Sequence, residues 1–369
     1  MRSIAVVGAG FTGAVIAHQL AKAGYQVEVF ESRNHVAGNC YTERDPQTKI
    51  MVHKYGPHIF HTNSPHVWNF VNQFGAFQPR RHQVMAVTSH GIFSLPINLH
   101  TINQFDHEKL SPSEARKVIK EKCEDIPNPS NFEDQALSTI GRALYKAFLE
   151  GYTKKQWGRH PTELPASILK RLPLRFSYDT NYYEHTLQGI PVDGYTPIVE
   201  NMLNNSKQVI LRLETEFQTW RTELHDHVFY SGPLDKWFQY QHGRLAYRTL
   251  DFKLSRGYGD LQGTAVINYC EEHIPFTRTT EFKHFAPWER HEQSIMYTEY
   301  SRECEPGDIP YYPVRLAKDQ ELLTKYERAA AREDKVTFVG RLGRYEYLDM
   351  DVAIAQALDV ARKFVDAKA

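Results

Sequence analysis

Gly8, Gly10 and Gly13 directly follow the β-branched run at residues 4–7 and precede a segment striped with Ala14, Val15, Ala17, Leu20 and Ala21. At that spacing the first glycine permits a tight turn, the second lets backbone approach a pyrophosphate, and the third lets helix and strand pack closely. Phe11 and Thr12 complete the turn, where the start of a helix offers N–H donors and positive potential to phosphate. Glu31, eighteen residues past Gly13, ends a second apolar run at 27–30, placed so that its carboxylate accepts from ribose hydroxyls and disfavours a 2′-phosphate. Strand, turn, helix, strand and acid in this order predict a dinucleotide site.

Ser32 and the stretch Arg33, Asn34, His35, Val36, Ala37, Gly38, Asn39 come next. This second basic, glycine-containing turn resembles the one with which flavoproteins of the glutathione-reductase type extend their FAD site, with Ala37 in place of the usual first glycine. It suits the long, extended FAD better than NAD. Cys40, Cys123, Cys270 and Cys304 are scattered without a C-x-x-C pair or zinc spacing, so disulfide-reductase chemistry is excluded and no metal site is expected. G-x-S-x-G, H-E-x-x-H and P-loop motifs are absent, which leaves the chemistry to the cofactor.

Two further groups of residues have the types needed to hold a nucleotide. Tyr152 and Trp157, at the end of a helical stretch, can stack on a base, and Arg171 in a Pro-flanked loop can pair bidentately with phosphate. An amphipathic helix followed by a solvated basic loop has the same composition. Tyr182, Tyr183, Arg248, Arg278, Tyr311, Tyr312 and Tyr347 would form an anion site if they converge, but are ordinary half-buried strand residues if they do not. His58, in a Gly-Pro turn flanked by His53 and His61, is placed either beside a cofactor or as a turn residue.

These residues need elements to carry them. The 369 residues hold 44 Lys+Arg against 44 Asp+Glu with 41% hydrophobic residues, which excludes a disordered chain and any global field for nucleic acid or anionic membrane. No apolar run reaches the ~18 residues of a membrane span, and the first residues are too short a core for a signal peptide, so no membrane insertion and a cytoplasmic location are expected. Ser111-Pro112-Ser113-Glu114 is a capping box that opens a helix to about Cys123, and Asn131 opens helical sequence to about Trp157. From about 176 to 315 short runs at 209–213, 227–230, 265–269 and 294–300 read as mostly antiparallel sheet. A strand at 336–339 and a helix from Asp349 or Asp351 return to the first domain. The predicted class is α/β: a Rossmann-like FAD domain with a helical insertion and an antiparallel sheet domain. Its expected parts are 1–75 with 200–240 and 315–369; 100–175; and 76–99 with 176–199 and 241–314.

In order along the chain these segments resemble the bacterial UDP-galactopyranose mutases. The resemblance rests on the fingerprint at 8–13, R-N-H-x-x-G-N at 33–39, Y-G-P-H-I-F-H-T-N at 55–63 and L-P-I-N-L at 95–99. G-Y-T-x-K-Q-W-G at 151–158, L-P-A-x-I-x-K-R-x-P at 164–173, Q-G-I-P-V-x-G-Y-T at 188–196, P-Y-Y-P-V at 310–314 and G-R-L-x-x-Y-x-Y-x-D-M at 340–350 complete it. It implies a cytoplasmic homodimer that interconverts UDP-galactopyranose and UDP-galactofuranose for cell-surface polysaccharide. Its FAD, reduced by an external donor such as NAD(P)H, attacks the anomeric carbon through N5 to give a covalent flavin–sugar adduct.

The resemblance further implies that Arg171 and Arg278 clamp the diphosphate, with Tyr182, Tyr312 and Tyr347 donating to it. Phe148, Tyr152, Thr153, Trp157 and Asn268 would form the uridine site. His58 would lie near flavin and sugar, Arg248 near the site entrance, Asp349 beside Tyr347, Arg341 on the FAD side with Ile59 and Met350, and residues 163–174 in a mobile lid. Leu149, Asp193 and Arg315 depart from the family pattern near the base or the sugar. A mutase for UDP-N-acetylgalactosamine or a dTDP-6-deoxyhexose is the alternative, with an FAD oxidoreductase behind it.

Overall fold

The computed structural model describes residues 3–171, 174–314 and 320–368, without the side chains of Lys170 and Arg171. The chain forms two compact units: the described residues of Met1–Arg80, His185–Leu245 and Asp319–Ala369, and those of Arg81–Glu184 and Ala246–Lys318.

The first unit is built on a five-stranded sheet in the order Val209–Arg212, Gln26–Phe30, Ser3–Val7, His227–Tyr230, Val336–Phe338, every pair parallel. Ile4, Ala5, Val6 and Val29 are fully buried because helices cover a parallel sheet on both faces, and each large apolar side chain so buried contributes about 1.5–3 kcal/mol. The helix Phe11–Lys22 buries Val15, Ile16 and Leu20 and packs against the C-terminal helix Met350–Lys368, which closes the unit. The runs at 209–213 and 227–230, read among the antiparallel runs although 200–240 was assigned to the FAD domain, are parallel strands of that domain. Val228 and Phe229 are fully buried, and consecutive buried residues suit a strand covered on both faces. The unit also contains a small antiparallel sheet, Phe60–Thr62, Leu187–Pro191 and Phe77–Pro79, so parts of 76–99 and 176–199 lie here rather than in the large sheet.

The second unit holds a seven-stranded sheet ordered Tyr312–Pro313, Tyr247–Tyr258, Gln293–Glu303, Arg278–Glu281, Val266–Tyr269, Val84–Thr88, Gly91–Leu95. It is antiparallel except where Val266–Tyr269 runs parallel to Val84–Thr88. The helical segment shares this unit, whereas it was expected to stand as a domain of its own. Pro112–Lys122, capped by Ser111 and Glu114, and Phe132–Leu144 bury Ile119, Phe132 and Ile140 in one core with Ala86 and Phe93 of the sheet. Leu144 leads into one π-helical stretch, Tyr145–Glu150, and then the helix Gly151–Trp157.

Close packing at the first turn leaves no room for a methyl group. A Cβ on Gly13 would lie 1.9 Å from the Gly8 carbonyl oxygen, and Gly8 itself sits at φ +99°. Gly13→Ala is therefore expected to destabilise the first unit by about 1–3 kcal/mol in denaturant unfolding and to reduce cofactor retention, while Gly24→Ala, with open space around it but φ +91°, tests the cost of backbone strain alone.

Candidate functional site

In the first unit a cleft of about 280 Å³ opens at the carboxyl ends of the parallel strands, the usual ligand position in an open α/β sheet. Gly8, Gly10, Phe11, Thr12, Glu31, Ser32, Arg33, Gly38, Asn39, His58, Arg341, Asp349 and Met350 line it. Among the described residues no side chain caps the helix beginning at Phe11, so its first N–H groups remain for an anion. Glu31 Oε2 accepts from Ala9 N at 2.9 Å and Oε1 from Arg33 N at 3.0 Å, so this buried carboxylate fastens both turns of the cleft to each other. Arg33 Nη2 donates to Asn39 Oδ1 at 2.9 Å, while its Nη1 is buried without a hydrogen-bond partner among the described residues. A bound group with acceptor oxygens would satisfy that donor.

Gly13 and Ile59 do not line the cleft. Gly13 serves the packing described above, and Ile59 is buried. Among the lining residues, Ser231, Gly232, Thr215, Phe217 and Lys236 escaped sequence reasoning. Ser231 and Gly232 directly follow the strand His227–Tyr230, and assigning that run to the parallel sheet would have pointed to them. Arg341 donates to the Leu348 carbonyl at 2.5 Å and lies 5.1 Å from the Tyr347 ring.

His58 is held from three sides. Its N–H donates to His53 Nδ1 at 2.9 Å, its carbonyl accepts from the Tyr195 hydroxyl at 3.1 Å, and its Nδ1 lies 2.8 Å from the Gly56 carbonyl. A carbonyl only accepts, so Nδ1 carries the proton and Nε2 is the acceptor nitrogen of the neutral ring.

The second unit brings a different set together. Arg278 and Glu299 are direct cross-strand neighbours, and Arg278 Nε and Nη2 both reach Glu299 Oε2 at 2.8 Å. Nη1 makes no hydrogen bond among the described residues. Burial alone would lower the Arg278 pKa, but the Glu299 charge more than offsets this and holds it above the ordinary value. Burial pushes the Tyr152 hydroxyl up; Arg278 opposes that, and Glu299, Tyr182 and Tyr312 add to it. Tyr152 and Tyr312 both act on the Arg278 charge, and Tyr182 acts on Tyr152. Asn268 is the strand neighbour of Arg278 on the other side, and Trp157 lies 6.3 Å from Tyr312 between ring centres.

Three expected residues sit differently. Phe148 is buried in the core, edge-on to Phe93 at 5.1 Å, because the π-helical stretch turns it inward. Arg248 is also buried, and its guanidinium reaches the carbonyls of Gln156 at 3.1 Å and Lys155 at 3.3 Å, so it caps the C-terminus of the helix Gly151–Trp157. Thr153 is buried. The Arg171 side chain, Leu172, Pro173 and Arg315 lie outside the described residues. Asp260, Glu281 and His284 approach within 4.8 Å, but the Glu281 oxygens already accept from Leu261 N, Gln262 N and Ser294 Oγ.

The first unit is a Rossmann-like dinucleotide-binding domain, and residues 6–74 match the NAD(P)-binding Rossmann-like domain family. Residues 147–347 match the UDP-galactopyranose mutase family. A probable UDP-galactopyranose mutase of Klebsiella pneumoniae is 54% identical over all of this chain and 96% of its own length. A dTDP-fucopyranose mutase of Escherichia coli is 50% identical over 99% of both chains. A crystal structure of reduced UDP-galactopyranose mutase superposes with a TM-score of 0.77 at 14% identity, covering 100% of this chain and 96% of that one. The chain belongs to the UDP-galactopyranose mutase family and is an isomerase of that kind. No helix among the described residues is long and apolar enough to cross a membrane.

Burial brings the His53 pKa down to about 3, with the neighbouring His58 adding to the effect. The unfolded chain takes up that proton near pH 6.5 and the folded chain only near 3, so this contribution to stability is present above 6.5 and is lost as pH falls toward 3. Unfolding measured from pH 7 to 4 is expected to show that loss, and His53→Asn to flatten the slope by up to one proton.

Proposed function

We propose that the protein interconverts UDP-galactopyranose and UDP-galactofuranose, with FAD held in the cleft of the first unit and UDP at the Arg278 cluster of the second. The observation that carries this reading is the Arg278–Glu299 pair, coupled to Tyr152 and Tyr312, with Tyr152 and Trp157 carried on one helix. The cleft fits FAD: bare glycine backbone, an uncapped helix start and the unpartnered Arg33 Nη1 suit its pyrophosphate, and Glu31 suits its ribose. When bound and reduced by a donor such as NAD(P)H, the flavin supplies an electron-rich nucleophile for the anomeric carbon.

The chain's own residues do the rest. Arg278, with Arg171, binds the diphosphate and stabilises the charge that grows on departing UDP, and the phenols donate to it. Tyr152 and Trp157 hold the base, which keeps the departed UDP in place to return to the same sugar. His58 Nε2, the acceptor nitrogen, can take a proton from a sugar hydroxyl and give it back.

A 6-deoxyhexose carried on dTDP is the second reading, favoured by the 50% identity to the Escherichia coli dTDP-fucopyranose mutase. Anaerobic incubation with UDP-galactofuranose and, separately, with dTDP-fucofuranose, each with and without dithionite and followed by chromatography, together with an aerobic assay on added amines and alcohols, separates the readings. UDP-galactopyranose is expected only in the reduced sample; conversion of dTDP-fucofuranose alone would establish the second reading. Conversion of neither, with continuous oxidation of an added amine or alcohol, would indicate an oxidoreductase. Arg278→Ala and Arg171→Ala are each expected to lower kcat/KM roughly 10²–10³-fold, as for a lost donor to a developing anion.

A further inference from the structure

We propose that Lys155 is a positioning residue that sets the spacing between the base platform and the diphosphate-binding arginine, so that a nucleoside diphosphate is recognised as one unit; this rests on the reading of Tyr152, Trp157 and Arg278 as the UDP site. Its Nζ donates to the Tyr269 carbonyl at 2.6 Å and the Phe276 carbonyl at 2.9 Å. Tyr269 follows Asn268, and Phe276 lies two residues before Arg278. Tyr269 N also donates to Thr277 O at 2.9 Å, so the two carbonyls flank the mouth of one hairpin. A single ammonium therefore ties together the helix that carries the aromatic platform, the strand that carries Asn268 and the strand that carries Arg278.

Its neighbour shows what an ordinary lysine does on this helix. Lys154 pairs with Glu150 and Glu272, each at 3.0 Å, the kind of surface bridge worth about 0–1 kcal/mol. Lys155 forms no ion pair among the described residues and spends its charge on main-chain oxygens in a partly buried place, where desolvation brings its pKa down to about 8. The helix is seated so tightly that a Cβ on Gly151 would lie 2.4 Å from the Cys270 carbonyl, and Arg248 holds the other end. Lys155, between them, is the tether that reaches the Arg278 strand.

Calorimetric titration with UDP and with inorganic diphosphate tests this. Lys155→Met is expected to weaken UDP binding about tenfold and diphosphate binding less than twofold, because diphosphate needs Arg278 but not the spacing to the platform. The loss in kcat/KM should fall on KM, and Lys155→Arg should restore most of it. Flavin content, which belongs to the other unit, reports folding, and Lys155→Gln gives the same ratio should the Met variant not fold. Unchanged UDP binding, or equal weakening of both ligands, overturns the inference. Failure of the unsubstituted protein to bind UDP overturns the site reading itself and the inference with it.

Discussion

Arg278 and Glu299 face each other across adjacent antiparallel strands, and the anion chemistry of the second unit depends on how that pair divides its hydrogen bonds. A buried guanidinium without a counter-charge would be too costly to keep, while one paired through Nε and Nη2 keeps Nη1 for a ligand. Here two nitrogens share a single oxygen, Oε2, while Oε1 lies 3.4 Å from the Thr277 hydroxyl. Arg278 thus stays charged and oriented with Nη1 uncommitted. In a protein with a formal net charge of +0 no long-range field recruits an anion, so recognition has to come from such a local arrangement.

The first unit solves the same problem by other means. Its cleft offers phosphate the dipole and N–H groups of an uncapped helix, and bare backbone where side chains would block approach. Glu31 makes this possible as a fastener as much as a ligand group. By accepting from Ala9 N and Arg33 N it binds the first glycine turn to the second basic turn, and Arg33 is oriented from there through Asn39. The acid that the fingerprint calls for is thus structural on one side and available on the other, since a carboxylate has about four acceptor positions.

Local patterns explain what could be read ahead of the structure. The glycine turn, its two strands, Glu31, the capping box at Ser111 and the returning C-terminal helix all express themselves within a few residues, and each is where it was expected. The dependence of other features on distant partners explains the misses. Whether the run at 227–230 joins a parallel or an antiparallel sheet is decided by its pairing with Ser3–Val7, more than 200 residues away, and Ser231 and Gly232 were overlooked with it. Phe148, which only the resemblance placed in the uridine site, lies in the π-helical stretch and is buried in the core. Lys155 drew no attention because a lysine on a short polar helix is ordinarily solvated.

The basic residues around the second site separate by what they donate to. Lys155 gives its protons to main-chain carbonyls at the mouth of one hairpin, and Arg248 divides its own between carbonyls at the end of one helix, the Ser301 hydroxyl and the Glu303 carboxylate. Carbonyls are neutral, so the Lys155 contacts fix geometry without cancelling its charge, whereas the Arg248 charge is met by Glu303 at 3.3 Å. Arg278 donates to a carboxylate, which compensates its charge at rest and leaves one nitrogen uncommitted. Sequence spacing cannot separate these roles, because a guanidinium or ammonium has the same composition in either; the acceptor it finds decides which it plays.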